Sequence, residues 1–313
     1  MRGLAPDRLV ASRPVITDDD LGRAGTALDD RFGDQVAADF SRSLPGLVAA
    51  LTQRWGLRLE RLYDPGATSV VVAVADRTGR PCVLKVSPDA SFLARQTRML
   101  RLLAPTGRVP GVVEVADEGA VLLERVLPGG TLDSARGSVP PPAVWAALVA
   151  DLHRVSTVGV PDRLVDRCTE MFERIGLRQA RPEVRAHVPD AIWEGAVQDC
   201  RALLSVAPRE VVLHGDLHLG NVLDGGARGL VVIDPKLCVG DPCFDLVDYV
   251  VADGGPAAMR GRAAALAPLV GIPLDHLLRW SQVNAVVSAV SRTARSGPDE
   301  RTRTLLSFAT LRV

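Results

Sequence analysis

The chain has 313 residues, of which 47% are hydrophobic and 24% charged, and this composition excludes a disordered tail and a disulfide-stabilised miniprotein. Its 37 basic and 37 acidic side chains balance, so no global charge recruits nucleic acid or an anionic membrane. We therefore expect neither of them as a partner. The length itself predicts two domains or lobes.

The apolar segments are short. The longest, around residues 70–75, is strand-sized and far below the roughly 20 residues of a membrane span. Residues 1–12 lack the apolar core of a secretory signal, so we expect a cytoplasmic protein. The five cysteines are scattered and contain no Cys-x-x-Cys pair, which favours plain thiols over disulfides or a zinc knuckle.

The first part of the chain alternates between helical and strand patterns. Residues 17–54 have helical periodicity, with Asp18–Asp20 as candidate N-caps and Gly56 as the end. Segments rich in β-branched residues then predict an antiparallel sheet interrupted by one helix. The predicted strands are 58–63, 69–75, 82–86, 112–115 and 121–124, and the predicted helix is 89–103. We expect this lobe to end near residue 127.

Helical periodicity dominates the remainder. The predicted helices cover 143–155, 166–178, 189–204, 244–251, 257–270, 274–292 and 299–311. One β island, residues 211–233, lies among them. The expected fold class is therefore α+β and bilobal, with a β-rich lobe at 1–127 and a larger helical lobe at 128–313. This order of lobes is the outline of a kinase.

The β island carries the polar residues. A hairpin centred near Ala227 pairs Asn221 with a residue near 233, so the Asn221 side chain and Asp234 are expected at the same open end. Asp216 precedes Asn221 by five positions. One Asp for a hydroxyl, with an Asn and an Asp for Mg²⁺, is the oxygen set that metal-assisted phosphoryl transfer requires.

The loop resembles that of the aminoglycoside phosphotransferase branch of the protein-kinase-like fold. That branch reads His-Gly-Asp and, after four further residues, Asn, as do His214, Gly215, Asp216 and Asn221. The segments 213–218 and 233–236 narrow the resemblance to the subgroup of aminoglycoside 6-phosphotransferases, streptomycin 6-kinases and hydroxyurea kinases, over roughly residues 47–249.

This resemblance implies ATP and Mg²⁺ as cofactors. It implies that Asp216 is the catalytic base or the group that orients the hydroxyl, and that Asn221 and Asp234 bind Mg²⁺. It also implies that His214 and Asp245 support the catalytic loop. The four-residue spacing of His214 and His218 could suggest a zinc pair, but the glycines between and after them disfavour the helix that would align the two rings.

Lys85, on the strand 82–86, stands where a kinase-like fold needs a cation for the nucleotide phosphates. The alternative is a solvated strand lysine, although the chain has only two lysines among its basic residues. The family partner of this lysine is a Glu, and no Glu lies between Arg61 and Val113. Helical spacing places Gln96 inward at that position. A Gln offers a hydrogen bond but no charge.

Three weaker assignments complete the expected nucleotide site and the acceptor site. The backbone around Glu124 and Val126 corresponds to the adenine-binding segment of the family, and residues 65–69 to the phosphate-covering loop, although a plain turn explains the latter equally well. Trp193 and Trp280 could stack on a sugar ring or simply pack in the core.

The expected acceptor is a small molecule, first of all a streptomycin-type aminoglycoside. Residues 151–200 contain nine acids and seven arginines, which favours a cation, whereas residues 251–313 contain eight arginines and four acids. Two alternatives stay open. One is a kinase of hydroxyurea or another small hydroxylated metabolite. The other is a non-catalytic nucleotide-binding regulator, which the Gln96 departure suggests.

Overall fold

The computed structural model describes residues 16–64, 66, 68–133, 139–206 and 209–312. The chain divides into two compact units. The first runs through Thr97 and resumes over Gly111–Arg125, and the second comprises Arg98–Pro110 and Val126–Val313. This division differs from one cut near residue 127. Residues 1–12, and Pro65 and Ala67 of the expected phosphate-covering loop, lie outside the described residues.

A five-stranded antiparallel sheet forms the body of the first unit, in the order β1-β2-β3-β5-β4. Its strands are β1 (Arg58–Leu62), β2 (Val70–Ala75), β3 (Pro81–Val86), β4 (Val112–Ala116) and β5 (Ala120–Glu124). The frequent valines of β2 to β5 favour the extended conformation, because β-branched side chains have high β-propensity. In β3, Lys85 stands opposite Val71 on one side and Val121 on the other, so it lies near the centre of the sheet.

The helices of this region are α1 (Asp18–Thr26), α2 (Asp29–Phe32), α3 (Asp34–Trp55) and α4 (Ala90–Leu103). The single helix expected over 17–54 is thus three helices, because the chain turns at Leu28 and at Gly33, whose φ is +81°. The N-cap residue of α1 is Thr17, which forms a capping box with Asp20, so of Asp18–Asp20 the carboxylate of Asp20 takes part in capping by accepting from Thr17 N. Gly56 ends α3 as expected.

The core of the first unit joins α1 and α3 to the sheet. Leu44, Val48 and Leu51 are fully or almost fully buried at helical spacing, and they belong to one cluster with Val72 and Leu84 of the sheet. The period-2 faces of the strands and the 3.6-residue face of α3 therefore meet in a shared apolar layer.

The second unit is mainly helical. Its helices are α5 (Pro142–Leu152), α6 (Leu164–Gln179), α7 (Pro182–Arg185), α8 (Asp190–Ser205), α9 (Val247–Val250), α10 (Pro256–Val270), α11 (Leu274–Ser296) and α12 (Glu300–Ala309). Helix α11 has buried residues on most of its surface, which is typical of a central helix. Among the described residues, no helix has both the length and the apolar character of a membrane span.

Two short antiparallel pairs interrupt these helices. The strands are β6 (Val211–Leu213), β7 (Val222–Asp224), β8 (Leu230–Val232) and β9 (Cys238–Gly240), and the pairs are β6 with β9 and β7 with β8. The β7–β8 hairpin has the expected register, with Val222 opposite Val232. Strand β9 was not expected, because three residues carry no readable period.

The aromatic residues of the second unit are mostly structural. Trp145 stacks on Tyr249 with ring centroids 4.9 Å apart. Trp280 is 2% exposed and donates its indole N–H to Asp241 at 2.9 Å, so packing, and not sugar stacking, accounts for it. Trp193 packs edge-on against Phe172. All five cysteines are buried free thiols.

The packing of α1 on α3 gives a matched test. A Cβ on Gly25 would lie 2.8 Å from the Cα of Ser41, whereas a Cβ on Gly22 would lie 3.5 Å from the Ser41 hydroxyl. We expect Gly25→Ala to lower stability by about 1–3 kcal/mol through overpacking against backbone. Gly22→Ala is expected to be neutral or to gain up to about 1 kcal/mol from helix propensity. Chemical denaturation measures both, and equal stabilities would contradict this packing.

Candidate active site

Asp216 and Asn221 lie on one loop between β6 and β7, in the second unit. The side-chain Nδ2 of Asn221 donates to the backbone oxygen of Asp216 at 2.9 Å. The backbone oxygen of Asn221 accepts from Ile233 N at 2.9 Å. Asn221 is therefore joined both to Asp216 and to the segment that leads to Asp234, and the hairpin has the register that the sequence predicts.

A buried carboxylate supports this loop from the far side. Asp245, in the 3-10 helix Pro242–Asp245, accepts hydrogen bonds from His214 N at 2.7 Å and Gly215 N at 3.0 Å. His153, at the end of α5, contacts the same carboxylate through Nε2 at 3.1 Å. Burial opposes the charged form, but these donors hold the pKa of Asp245 below its ordinary value.

His214 is fixed as a neutral ring. Its Nε2 lies 3.0 Å from the carbonyl oxygen of Ile233. Because a carbonyl only accepts, Nε2 carries the proton, and Nδ1 accepts from Asp216 N at 3.3 Å. Complete burial lowers the pKa of His214. The ring therefore links the backbone of the loop to the end of β8 without adding a charge.

Two cations flank the Asp216 carboxylate. Lys236 Nζ lies 2.7 Å from one oxygen, and Arg167 Nη2 of α6 lies 3.5 Å from the other. Burial alone would raise the pKa of Asp216, but Lys236 and then Arg167 outweigh it, so the pKa lies below its ordinary value. Asp216 is thus ionised at neutral pH and accepts hydrogen bonds. Its side chain is 29% exposed, so solutes have access to it.

The residues expected to hold Mg²⁺ suit such an ion chemically. Because Nδ2 of Asn221 is committed to the Asp216 backbone, Oδ1 is the atom of this amide that would bind a cation. Asp234 adopts a left-handed backbone with φ of +57°, the only described non-glycine residue with positive φ, and such conformations concentrate at functional sites. A carboxylate and an amide oxygen are ligands that Mg²⁺ prefers.

The first unit holds three of the other expected residues, Lys85, Gln96 and Glu124. Lys85 Nζ donates to Gln96 Oε1 at 2.7 Å, and each residue is only 4% exposed, so Lys85 is not a solvated strand lysine. Gln96 stands inward on α4, as its spacing predicts. Glu124 accepts from Gly111 N through Oε2 at 3.0 Å, while Val126 is buried in the second unit.

Sequence reasoning missed three residues of the second unit. His153 supports Asp245, and Arg167 flanks Asp216. Asp248, on α9, accepts from Asn284 Nδ2 at 3.1 Å, and burial raises its pKa, with Asp216 contributing to the rise. None of them belongs to a readable local pattern. A histidine just after the apolar helix α5 is the one available signal, and it is equally typical of a C-cap.

The three donors to Asp245 generate a stability prediction. In Asp245→Asn one oxygen becomes an NH₂ group that faces a backbone or histidine N–H, so a buried donor loses its acceptor. We expect a loss of about 2–3 kcal/mol. The control is Asp199→Asn, which breaks an exposed ion pair with Arg279 and is expected to cost less than about 1 kcal/mol. Equal melting temperatures for the two variants would contradict the supporting role.

Comparison with known proteins places this site in a family. A family model described as aminoglycoside/hydroxyurea antibiotic resistance kinase matches residues 54–297. The hydroxyurea phosphotransferase of Kitasatospora aureofaciens is 31% identical over 260 residues, which cover 80% of this chain and 74% of that protein. The streptomycin 6-kinase of Streptomyces glaucescens is 32% identical over 265 residues, or 80% and 83% of the two chains.

Solved structures agree in fold. A ternary complex of streptomycin, ATP and APH(2")-IIa aligns with a TM-score of 0.54 at 16% identity, over 84% of this chain and 94% of that one. At this identity the likeness shows the bilobal, protein-kinase-like α+β fold and no more. The family-model match over residues 54–297, with relatives that are 31% and 32% identical, establishes that the chain belongs to the aminoglycoside/hydroxyurea antibiotic resistance kinase family.

Proposed function

We propose that the chain uses Mg²⁺-ATP to phosphorylate a hydroxyl group of a streptomycin-type aminoglycoside. Family membership makes it a small-molecule phosphotransferase with a hydroxyl as acceptor group. The nucleotide, the metal and the identity of the acceptor are the parts proposed. The observation that carries the proposal is the loop in which Asn221 is hydrogen-bonded to Asp216 and to the segment that leads to Asp234, with Asp245 bound to the backbone of the same loop.

The chemistry assigned to this loop is an in-line displacement. The acceptor hydroxyl oxygen attacks the γ-phosphorus, the bond from that phosphorus to the bridging oxygen breaks, and ADP leaves with the electron pair. The hydroxyl proton passes to the Asp216 carboxylate. Because the pKa of Asp216 is lowered, this group is a weak base that mainly orients the hydroxyl. Mg²⁺, bound through Asn221 and Asp234, would neutralise charge on the phosphate oxygens.

Lys85 is assigned to the nucleotide phosphates of the proposed reaction. Its ammonium donates a hydrogen bond to Gln96 Oε1 at 2.7 Å. Gln96 therefore makes the contact that a Glu makes in the family, but it carries no negative charge. This hydrogen bond orients the buried ammonium, whose positive charge suits phosphate oxygens. This contact supports a catalytic role over the alternative of a non-catalytic regulator.

Two acceptors have specific support. Streptomycin is favoured because streptomycin 6-kinases of two Streptomyces species are among the relatives and because residues 151–200 carry an excess of acids, which suits a cationic sugar. Hydroxyurea is the second candidate. The hydroxyurea phosphotransferase is 31% identical over 260 residues, and the arginine excess of residues 251–313 suits a neutral acceptor better than a cationic one.

Mass spectrometry of an acceptor panel tests this proposal. Streptomycin, hydroxyurea and other aminoglycosides are incubated with Mg²⁺-ATP and the wild-type chain, Asp216→Asn or the exposed control Asp199→Asn. We expect one phosphoryl mass on streptomycin with wild type and the control, and a rate at least about 100-fold lower with Asp216→Asn. Phosphorylated hydroxyurea with unmodified streptomycin would instead assign the second acceptor. No product from any acceptor would refute the proposed function.

Gln96 gives a prediction for nucleotide binding. Gln96→Leu has a similar volume but leaves the Lys85 ammonium without this acceptor, and we expect KM for ATP to rise by about 10-fold, since a hydrogen bond to a charged group contributes about 1.5–3 kcal/mol. Gln96→Glu keeps an acceptor oxygen and is expected to stay within about 3-fold of wild type. Steady-state kinetics at saturating acceptor measure both, and equal KM values for Leu and Gln would contradict the assignment.

A further inference from the structure

The second lysine of the chain contacts the carboxylate assigned to the acceptor hydroxyl. Lys236 Nζ lies 2.7 Å from Asp216 Oδ2, and Asp216 is its only ion-pair partner within the described residues. The lysine side chain is 41% exposed. An ammonium has three N–H donors. One of them serves Asp216, and the remaining two can serve a ligand at the open end of the side chain.

The backbone, and not a flexible side chain alone, sets this position. Lys236 N donates to His214 O at 2.8 Å. Gly215 has φ of +76°, and a Cβ there would lie 2.1 Å from the Lys236 carbonyl oxygen. Only glycine fits this close approach. The segments that carry Asp216 and Lys236 are therefore held against each other.

A phosphoryl group on its way to the acceptor must pass close to Asp216. The attacking hydroxyl oxygen contacts this carboxylate, and reacting atoms stand about 3–3.5 Å apart in a near-attack geometry. The equatorial phosphoryl oxygens, on which negative charge gathers, are then within reach of a cation bound to the same carboxylate. A carboxylate has about four lone-pair sites, so Asp216 can accept from Lys236 and from the hydroxyl at the same time.

We propose that Lys236 is a catalytic residue of this enzyme: its ammonium donates to Asp216 and, simultaneously, to an equatorial oxygen of the transferring phosphoryl group. The proposal rests on the phosphotransferase function above and adds a phosphoryl-binding subsite to it. Lys236 stabilises the charge of the transition state and keeps Asp216 aimed at the acceptor. Arg167, whose Nη2 is 3.5 Å from the other carboxylate oxygen, is too far for a strong hydrogen bond and acts as a positioning residue.

A transition-state mimic separates this role from a structural one. Calorimetry compares the affinity for Mg²⁺-ADP with that for Mg²⁺-ADP plus aluminium fluoride, which imitates a phosphoryl group in transfer. For Lys236→Met and Lys236→Gln we expect the affinity for Mg²⁺-ADP alone to stay within about 3-fold of wild type. The gain in affinity on adding aluminium fluoride should fall by about 100-fold, which is the effect typical of removing one donor to the transition state. Lys236→Arg should recover part of it. Arg174→Met, on the exposed side of α6, removes a cation elsewhere and should change neither.

The outcomes are distinguishable. If wild type shows the fluoride effect and both Lys236 variants retain it, this inference is overturned and the kinase function stands. If wild type binds no Mg²⁺-ADP at all, the proposed function fails and the inference fails with it. A parallel kinetic readout must agree, with kcat lowered about 100-fold in Lys236→Met and KM for ATP little changed. A rise in KM at constant kcat would overturn it, because that pattern indicates ground-state binding.

Discussion

The carboxylate of Asp245 is the contact on which the catalytic loop depends. It is completely buried and ionised, and its donors come from two distant segments, His153 on one side and the His214–Gly215 backbone on the other. A buried charge is tolerated only when hydrogen bonds replace its hydration. The same bonds fix the backbone from which Asp216 projects. The hydrogen bonds that compensate the buried charge of Asp245 therefore also hold the Asp216 carboxylate in a defined position.

The two lysines of the chain lie in different environments. Both lysines of the chain lie at positions assigned to phosphate chemistry, although arginine supplies almost all other basic side chains. An ammonium is a compact charge with three rotatable donors, whereas a guanidinium is a planar fork. Lys85 is buried beside a neutral amide, and Lys236 is exposed beside a carboxylate. Each environment suits the task proposed for it, a ground-state phosphate for Lys85 and two partners at once for Lys236.

The sequence predicts the features that depend on side-chain periodicity within a single helix, strand or hairpin. The alternation of β2 and β3, the hairpin register at Val222 and the inward position of Gln96 follow from side-chain periods within one element. The break at Gly33, the pairing of β6 with β9 and the assignment of residues 98–110 to the second unit depend on contacts between distant segments. For the same reason His153 and Arg167 could not be predicted, since each acts on a residue about 50 or more positions away.

Because the chain has only two lysines, a reagent that acylates lysine side chains can act selectively on it. Lys85 is 4% exposed and Lys236 has a 41% exposed side chain, so an amine-directed acyl donor in solution meets a single accessible lysine amine. Acylation neutralises an ammonium and removes its ability to pair with an anion. The many guanidinium groups do not react with such a donor. Among the basic side chains, acylation would thus fall on the one that contacts Asp216, while the arginines keep their charge.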